Sequence, residues 1–454
     1  MLVAFLLAVS LTDWVPARWI SNDPKSLDLL NGTPVNCLLL EQPQWSETFA
    51  RQAAKQGIAT LGVIRSESGA VDLARQAAAM RFAGVVLEGA FDPAAAIRVR
   101  AVLNDSKIPL VELTTRNRMR FDSGAPILGT DQGLWPGVRV EENGAVETGP
   151  SAAPWINTNT GFLRFAKAAS DSVIWMANQP PANTAVPLTR YLQAIGDAAM
   201  TGARWVVALD SDFSRRLLAR DARALQDWKA IALHLRYYED HKDWRDLRPH
   251  SELAVVEDAQ SGALLSGGVL DMIAVKHTPV LPIPYRRISP PVMERAKMAV
   301  DVDPSALTPE QLAVLKAFTR AGGTLLTGPP GWKFQSLRPE AITLEKADLD
   351  KLDEIWKELN SMTGRKNMGA RLFNVSSMLS NLLEAPGGSQ LILHLVNYSD
   401  FPAENITAHV LGAYHHARLY RPEAPVQELD TYPVEDGTGI DIEKMGSVAT
   451  LVIE

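Results

Sequence analysis

A regular alternation of short apolar runs and amphipathic stretches is the strongest constraint in the first part of the chain. Four apolar runs alternate with three stretches of helical spacing: runs at 35–40, 58–64, 83–88 and 108–113, and helical stretches at 46–56, 71–82 and 93–103. Strands that return through a helix at intervals of about 25 residues run parallel, with right-handed crossovers. The pattern therefore predicts a parallel sheet wrapped by helices.

The alternation continues, less regularly, to the middle of the chain. Four more strands are predicted at 126–131, 137–140, 172–178 and 203–210, and a long amphipathic helix at 221–243 follows them. Eight strands in about 220 residues favour a (β/α)8 TIM-like barrel. An open, doubly wound sheet is the alternative topology with the same pattern.

Two further patterns follow the predicted barrel at 18–250. Residues 251–335 repeat a smaller α/β pattern, and residues 386–454 consist of short alternating strands separated by turns, which predicts a C-terminal antiparallel β domain. A helical connector, with Met378–Glu384 as one of its helices, is predicted between them at 336–385. The predicted fold class is α/β, with a barrel, a small α/β domain and a β-sandwich-like domain.

The N-terminal segment, residues 1–17, begins with an apolar run at 1–11. This run has the length of a signal-peptide core and is too short to span a bilayer. It predicts a secreted or periplasmic protein, with a buried N-terminal segment as the alternative. No later stretch is long and apolar enough for a membrane span, so we expect no membrane contact after processing.

Composition narrows the partners and cofactors. The formal net charge is −7, from 52 acidic and 45 basic residues, which argues against a nucleic-acid partner. Cys37 is the one cysteine and lies in an apolar run, so a disulfide within the chain is impossible. The eight histidines lack metal-ligand spacing, and phosphate-loop and dinucleotide motifs are absent. We expect neither metal nor cofactor.

Carboxylates follow the predicted strands, at the end where parallel barrels build their sites. They are Glu41, Glu88, Glu112, Asp131, Asp210 and Asp212. Carboxylates gathered on one rim raise one another's pKa, and glycoside cleavage needs one protonated and one ionised carboxyl group. The first predicted catalytic pair is Glu112 with Asp210, and the second is Glu88 with Asp131. Each acid alone could instead cap a helix, and Asp212 is assigned that role.

Aromatic rings and amides near predicted strand ends are candidate sugar-binding groups, because rings stack on the C–H faces of sugars and amides bind hydroxyl groups. The candidates are Trp135, Trp155, Trp175, Asn157, Asn159 and Asn178. The alternative is structural, with Trp155 as a loop anchor and Asn159 as a helix cap.

The order of modules resembles the TIM-barrel β-galactosidases, which carry a glutamine-amidotransferase-like trimerisation domain and a C-terminal β-sandwich. The nearest local similarity runs from Ala299 to Asp303, through Leu307–Gln311, to the Gly322-Gly323 strand entry. The resemblance implies a glycoside hydrolase-like protein with a carbohydrate ligand, and an oligomerisation role for the second module. Amidotransferase chemistry is not expected there, because Cys37 lies in another predicted domain.

One departure from that family keeps other functions open. The Asn-Glu pair of its fourth barrel strand is absent, since Val111 precedes Glu112. The alternatives are a non-catalytic carbohydrate-binding or assembly protein on a degenerate barrel, and a barrel hydrolase acting on a non-sugar ligand.

Overall fold

The structure is a computed structural model that describes residues 10–140, 144–149, 157–328, 342–344, 346–364 and 366–454. Its contacts define two compact units. The first comprises Met1–Gly133, Ser172–Tyr191 and Ala203–Asp240, and the second comprises Leu134–Asp171, Leu192–Gly202 and His241–Glu454. Each unit is therefore built from segments that are distant in sequence.

The strands, in chain order, are β1 Pro16–Arg18, β2 Cys37–Leu40, β3 Ala59–Ile64, β4 Gly84–Glu88, β5 Leu110–Thr114, β6 Ile127–Thr130, β7 Val138–Val140, β8 Val146–Thr148, β9 Val173–Met176, β10 Arg204–Trp205, β11 Arg248–Pro249, β12 Leu253–Glu257, β13 Leu281–Pro284, β14 Met298–Asp301, β15 Thr324–Thr327, β16 Ala370–Phe373, β17 Met378–Glu384, β18 Leu391–Asn397, β19 Ala403–Leu411, β20 Ala417–Arg421, β21 Ala424–Leu429, β22 Thr431–Val434, β23 Gly437–Met445 and β24 Val448–Ile453. The α-helices are α1 Glu47–Lys55, α2 Ala70–Ala79, α3 Pro93–Asp105, α4 Thr160–Ala169, α5 Leu188–Ala199, α6 Ser211–Leu218, α7 Ala222–Asp240, α8 Val269–Val275, α9 Pro290–Met293, α10 Pro309–Arg320 and α11 Lys346–Thr363.

The first unit contains an eight-stranded parallel sheet in the order β1-β2-β3-β4-β5-β6-β9-β10. A parallel bridge between Ala17 and Val207 joins its two edge strands. There the amide of Arg18 donates to the Val207 carbonyl at 2.7 Å, and the amide of Val207 donates to the Pro16 carbonyl at 3.1 Å. The sheet thus closes on itself, which confirms the predicted barrel and excludes the open sheet.

One predicted barrel strand was wrong, and another was missed. The segment 137–140 contains β7, which pairs with β8 in a separate two-stranded antiparallel sheet. Its residues are half-buried or exposed, whereas barrel strands are buried on both faces. The barrel strand that the sequence did not predict is β1, which lies partly in the segment assigned to a signal peptide. It is only three residues long, so it carries almost no periodicity.

Alternate residues of the barrel strands point into its interior, as the two-residue period of a strand requires. They form one apolar cluster of buried side chains: Trp14, Cys37, Leu39, Leu61, Val63, Val86, Val111, Leu113, Ile127, Trp175, Ala177 and Val206. Cys37 is fully buried among them, as expected for a small apolar side chain. The barrel is consequently a filled core, and its chemistry must lie at its ends.

The second unit contains both of the other predicted sheet types. A four-stranded parallel sheet has the order β13-β12-β14-β15, and two antiparallel sheets have the orders β11-β17-β18-β24-β20-β21 and β16-β19-β23-β22. Side chains from both antiparallel sheets share one apolar cluster, which makes them a sandwich. The mixed α/β fold class is confirmed. No helix in the described ranges is both long enough and apolar enough to cross a bilayer.

The predicted helix at Met378–Glu384 is wrong, because this segment is β17 and pairs antiparallel with β18. All its residues but the last are buried, so the segment shows no one-sided pattern. A continuous apolar run of this length does not distinguish a strand from a buried helix.

The barrel interior gives a test of the fold. Leu61→Ala removes a fully buried side chain from the cluster and should lower the free energy of unfolding by about 2–5 kcal/mol. Ile97→Ala is the matched control, because Ile97 lies in α3 of the same unit and is 61% exposed. The control should change that free energy by less than about 0.5 kcal/mol. Urea unfolding of both variants measures the difference, and equal losses would contradict the packing described above.

Candidate active site at the barrel mouth

The inward-facing positions become charged at the carboxyl ends of the barrel strands. Two residues beyond inward-facing Leu39, Val63 and Val86 lie Glu41, Arg65 and Glu88. Because side chains alternate with a period of two, these charged groups point toward the same axis as the apolar residues before them. Together with Arg18 and Asp131 they form what we call the mouth cluster: Arg18, Glu41, Arg65, Glu88 and Asp131.

Two arginines and two glutamates of the mouth cluster form a closed network of ion pairs. Arg18 donates to Glu88 Oε1 at 2.6 Å through Nη2 and to Glu41 Oε1 at 3.2 Å through Nη1. Arg65 donates to both Glu41 oxygens, at 2.8 and 3.2 Å, and its Nη2 lies 3.1 Å from Glu88 Oε2. Each glutamate therefore faces both guanidinium groups.

The cluster runs from a buried side to an open side. The side chains of Arg18 and Glu88 are 9% and 5% exposed, whereas those of Arg65 and Glu41 are 43% and 36% exposed. Charges interact more strongly where water is excluded, so the Arg18–Glu88 pair is the strongly coupled part of the network. The Arg65–Glu41 pair is accessible to solvent.

Unlike Glu41 and Glu88, Asp131 forms no ion pair with either arginine of the cluster. Its Oδ1 atom, like Glu88 Oε2, is buried and has no hydrogen-bond partner among the described residues. Burial, followed by the nearby Glu88 carboxylate, raises the pKa of Asp131 to about 6, although Arg65 and Arg18 act in the opposite direction. A carboxyl group with this pKa can release and recover a proton near neutral pH.

The mouth cluster thus holds two carboxyl groups in unlike environments. Glu88 lies against two guanidinium groups, while burial and then Glu88 itself raise the pKa of Asp131. Environments that separate two carboxyl groups in this way are what acid–base catalysis at one site requires. This is the pair Glu88 and Asp131, ranked second from the sequence.

The first-ranked pair, Glu112 and Asp210, is not brought together. Glu112 has the opposite parity to Val111 and Leu113, which face the barrel interior, so its side chain lies on the outer face of β5. There it forms an ion pair with Arg100 of α3 and lines an outer cavity of about 370 Å3. The predicted pairing of Glu112 with Asp210 is therefore wrong.

Asp210 has a structural position at the start of α6. Its Oδ1 accepts from the Phe213 amide at 2.8 Å, and its Oδ2 accepts from the Val186 amide at 3.1 Å and the Tyr191 hydroxyl at 2.9 Å. Asp210 is therefore the helix cap, a role that the sequence assigned to Asp212. Asp212 instead pairs with Arg215 and Arg216 one turn along the helix.

Three of the predicted sugar-binding residues are buried, so their surfaces are not available for stacking or hydroxyl binding. Trp175 is fully buried in the barrel interior, with its ring centroid 6.4 Å from that of Trp14. In the second unit Trp135 is buried, and Asn159 is buried with its amide bound to Leu134 and Asp197. The assignments of Trp175, Trp135 and Asn159 are corrected accordingly.

The other three residues of that list have different outcomes. Asn157 is exposed, and its Oδ1 accepts from Ser266 Oγ at 2.7 Å. Asn178 is half-buried just past the carboxyl end of β9, and its Nδ2 donates to the Gly133 carbonyl at 2.6 Å. Trp155 lies outside the described residues.

The cations of the mouth were missed from the sequence, although a signal existed for one of them. Arg65 directly follows a correctly predicted strand, as the selected acids do, and it was missed because only acids were considered. Arg18 follows the strand that was itself missed. Fully buried Arg116 adds support beside the cluster, since it donates to the carbonyl of Gln132, the residue after Asp131.

The cluster is made of carboxylates and guanidinium groups, and the described part of the chain holds no set of three metal-binding side chains in ligating arrangement. Its inward carboxylates meet at the carboxyl ends of the barrel strands, which is the end where closed parallel barrels place their active sites.

Comparison with known proteins gives the class of fold. The sequence matches no protein-family model and no curated protein. Among solved structures it is similar to α-L-fucosidase isoenzyme 2 from Paenibacillus thiaminolyticus, with a TM-score of 0.61 and 10% identity over 97% of this chain and 99% of that chain. It is also similar to a β-galactosidase from Rahnella sp. R3, with a TM-score of 0.50 and 8% identity over 96% and 99% of the two chains. The chain thus has a glycoside hydrolase-like fold, which confirms the resemblance inferred from its order of modules.

The raised pKa of Asp131 predicts a pH-dependent cost to stability. Between about pH 4 and pH 6 the folded protein keeps a proton that the unfolded chain releases, so stability falls as the pH rises through this range. Asp131→Asn removes that cost. The free energy of unfolding of the variant minus that of the wild type should therefore be larger at about pH 7.5 than at about pH 4. We expect this difference to grow by on the order of 1–2 kcal/mol, after allowance for the partial exposure of Asp131.

Urea unfolding at both pH values measures the difference in the free energy of unfolding between the variant and the wild type. Asp212→Asn is the control, because hydrogen bonds from Arg216 and then Arg215 lower the pKa of Asp212, which gives the opposite pH trend. If the difference between Asp131→Asn and the wild type does not increase toward high pH, the pKa of Asp131 is not raised in the folded protein.

Proposed function

We propose that the mouth cluster cleaves a glycosidic bond, with Asp131 as the proton donor and Glu88 as the ionised partner. The observation that supports this most directly is the buried, unpartnered Oδ1 of Asp131, with its pKa raised to about 6 beside a Glu88 that faces two arginines. The glycoside hydrolase-like fold makes a carbohydrate the expected ligand.

In this proposal the two carboxyl groups have separate tasks. Protonated Asp131 donates its proton to the oxygen of the departing group as the glycosidic bond breaks. Ionised Glu88 either attacks the anomeric carbon or takes a proton from the attacking water, and the separation of the two groups around a bound sugar decides which. Asn178 lies just past β9, the strand that pairs with β6, and it is the proposed amide for hydroxyl binding in addition to its bond to the Gly133 carbonyl.

Two substitutions test the assignment against a panel of aryl glycosides that includes α-L-fucosides and β-galactosides. Asp131→Asn and Glu88→Gln should each lower kcat/KM by about a hundredfold or more. With a dinitrophenyl leaving group, which departs without protonation, the loss for Asp131→Asn should shrink while that for Glu88→Gln persists. Glu112→Gln, on the outer face of the same barrel, is the matched control and should retain activity.

The leaving-group dependence separates chemistry from damage to the fold. A variant that is merely misfolded loses activity on every substrate alike, and its circular dichroism spectrum changes. Glycosidase activity that survives both Asp131→Asn and Glu88→Gln would refute the proposed roles.

A non-catalytic carbohydrate-binding or assembly protein is the second candidate. It is favoured by the closed network, in which both oxygens of Glu88 already face arginine nitrogen atoms. Such a protein would bind an oligosaccharide in calorimetry without turning it over. The resemblance also implies self-association, which an assembly protein would require. Sedimentation equilibrium should then give the mass of an oligomer, and the mass of a monomer would argue against an assembly role.

We also propose that the N-terminal apolar run directs export to the periplasm or the medium. Residues 1–9 lie outside the described residues, but Thr12, Asp13 and Val15 are tied to the barrel: Arg204 donates to the Thr12 carbonyl, and the Asn36 amide bonds to Asp13 and Val15. Cleavage should therefore occur before residue 12, rather than at the end of a 1–17 segment. N-terminal sequencing of the exported protein checks this, and a mature start beyond Thr12 would contradict it.

A further inference from the structure

The second unit contains a cavity of about 530 Å3 with an unusual concentration of cations. We call it the basic groove, and its charged lining consists of Arg164, Lys167, Arg245, Arg248, Arg287 and Arg295, with Asp171 and Asp246 as its acids. The lining thus carries an excess of four positive charges, in a chain whose formal net charge is −7. Such a local excess against the overall charge attracts anions.

Arg164 lies at the buried side of the groove and has only neutral hydrogen-bond partners. Its Nη1 donates to Asn381 Oδ1 at 2.6 Å, its Nη2 donates to the Ser380 carbonyl, and its Nε is buried without a hydrogen-bond partner among the described residues. Burial lowers the pKa of Arg164 to about 10, although the nearby Asp271 and Asp197 carboxylates act in the opposite direction, so the group still carries its charge at neutral pH. Its buried Nε donor remains without an acceptor among the described residues, and an unpartnered buried donor is costly unless a further acceptor approaches it.

Two of the remaining cations, Lys167 and Arg287, form ion pairs with highly exposed acids, whereas Arg295 forms an ion pair with the half-buried Glu384. Lys167 lies 3.4 Å from Asp246, and Arg287 lies 3.3 Å from Asp171, but these acids are 88% and 96% exposed. Exposed pairs of this kind contribute little and exchange readily for another anion. Arg248 is exposed at the edge strand β11 and lines the same cavity.

The wall between these cations is apolar. Leu281 and Ile283 of β13, with Val292, Leu383 and several prolines, line the cavity beside the charged groups. An inorganic anion would neutralise the cations but leave the apolar wall exposed to water. A molecule with an apolar face and acidic groups at its edges would contact both.

We propose that the basic groove binds a small organic molecule that carries at least two acidic groups around an apolar body. Carboxylate, sulfate and phosphate share the required chemistry, because each presents paired oxygens to the fork of an arginine. The groove lies wholly within the second unit, so this site does not depend on the reaction proposed for the barrel mouth.

Calorimetric titration of the full chain tests the site with four probes at low salt. Benzene-1,3,5-tricarboxylate has both an apolar face and several acidic groups, and a sulfated uronic-acid disaccharide supplies the saccharide source of the same chemistry. Inorganic phosphate supplies charge alone, and lactose supplies a neutral sugar. We expect the tricarboxylate to bind at least about tenfold more tightly than phosphate, with affinity falling as salt is raised, and lactose not to bind.

Arg248→Gln and Arg287→Gln are the test variants, because both side chains are exposed and their loss spares the buried Arg164. Each should weaken tricarboxylate binding by about tenfold. Arg320→Gln removes an exposed arginine of the same unit outside the groove and should leave binding unchanged. A disaccharide that binds more tightly than the tricarboxylate would support the site and identify a saccharide as its ligand.

Three results would overturn the proposal. They are no binding of either organic anion, equal affinity for phosphate and the tricarboxylate, and equal affinity in the wild type and both groove variants. The test of the basic groove is independent of the test of the barrel mouth, because the two use different probes and different variants. A negative result for the barrel-mouth substitutions would therefore not affect the conclusion about the groove.

Discussion

Closure of the barrel by Ala17 and Val207 is the constraint on which the candidate site depends. In an open sheet, the ends of β1 and β6 would be separated by the whole width of the intervening strands. Once the ring closes, every inward-facing side chain points at one axis. Residues as distant in sequence as Arg18 and Asp131 then interact electrostatically, although neither strand pairs with the other.

Much of the fold could be predicted because buried parallel strands leave a strong mark on the sequence. Apolar runs separated by helices located six of the eight barrel strands to within about two residues, and they located the parallel sheet of the second unit. The failures at β1 and β17 share a cause. The strand β1 is too short to show a period, and β17 is buried at nearly every position, so neither has the one-sided pattern that identifies an element.

The site was harder to predict because it depends on the parity of each strand as well as on its position. Glu112 stands among apolar neighbours, Val111 and Leu113, in a strand with few polar residues, so the sequence does not show which face is inward. An error of one residue transfers a side chain to the other face. The same rule brings Glu88 and Asp131 to the barrel mouth, because both share the parity of the inward-facing residues.

The basic groove could not have been predicted from the sequence. Its cations come from segments near residues 164, 248, 287 and 295, and between them the chain shows no basic run. Only the packing of the second unit places them around one cavity. A formal net charge of −7 concealed this concentration, because a sum over the chain is insensitive to where charges meet.

The energetics of the mouth cluster argue for a role beyond packing. A buried pair such as Arg18 and Glu88 loses hydration that its attraction barely restores, so a network serving stability alone gains little over apolar side chains. A network that only neutralised its own charges would also pair every carboxylate. Asp131 breaks that rule, since it adds a third acid to two arginines and leaves a buried oxygen unpartnered among the described residues. An excess carboxyl group whose pKa is raised toward neutral pH, placed where the strands converge, destabilises the fold slightly and is suited to proton transfer.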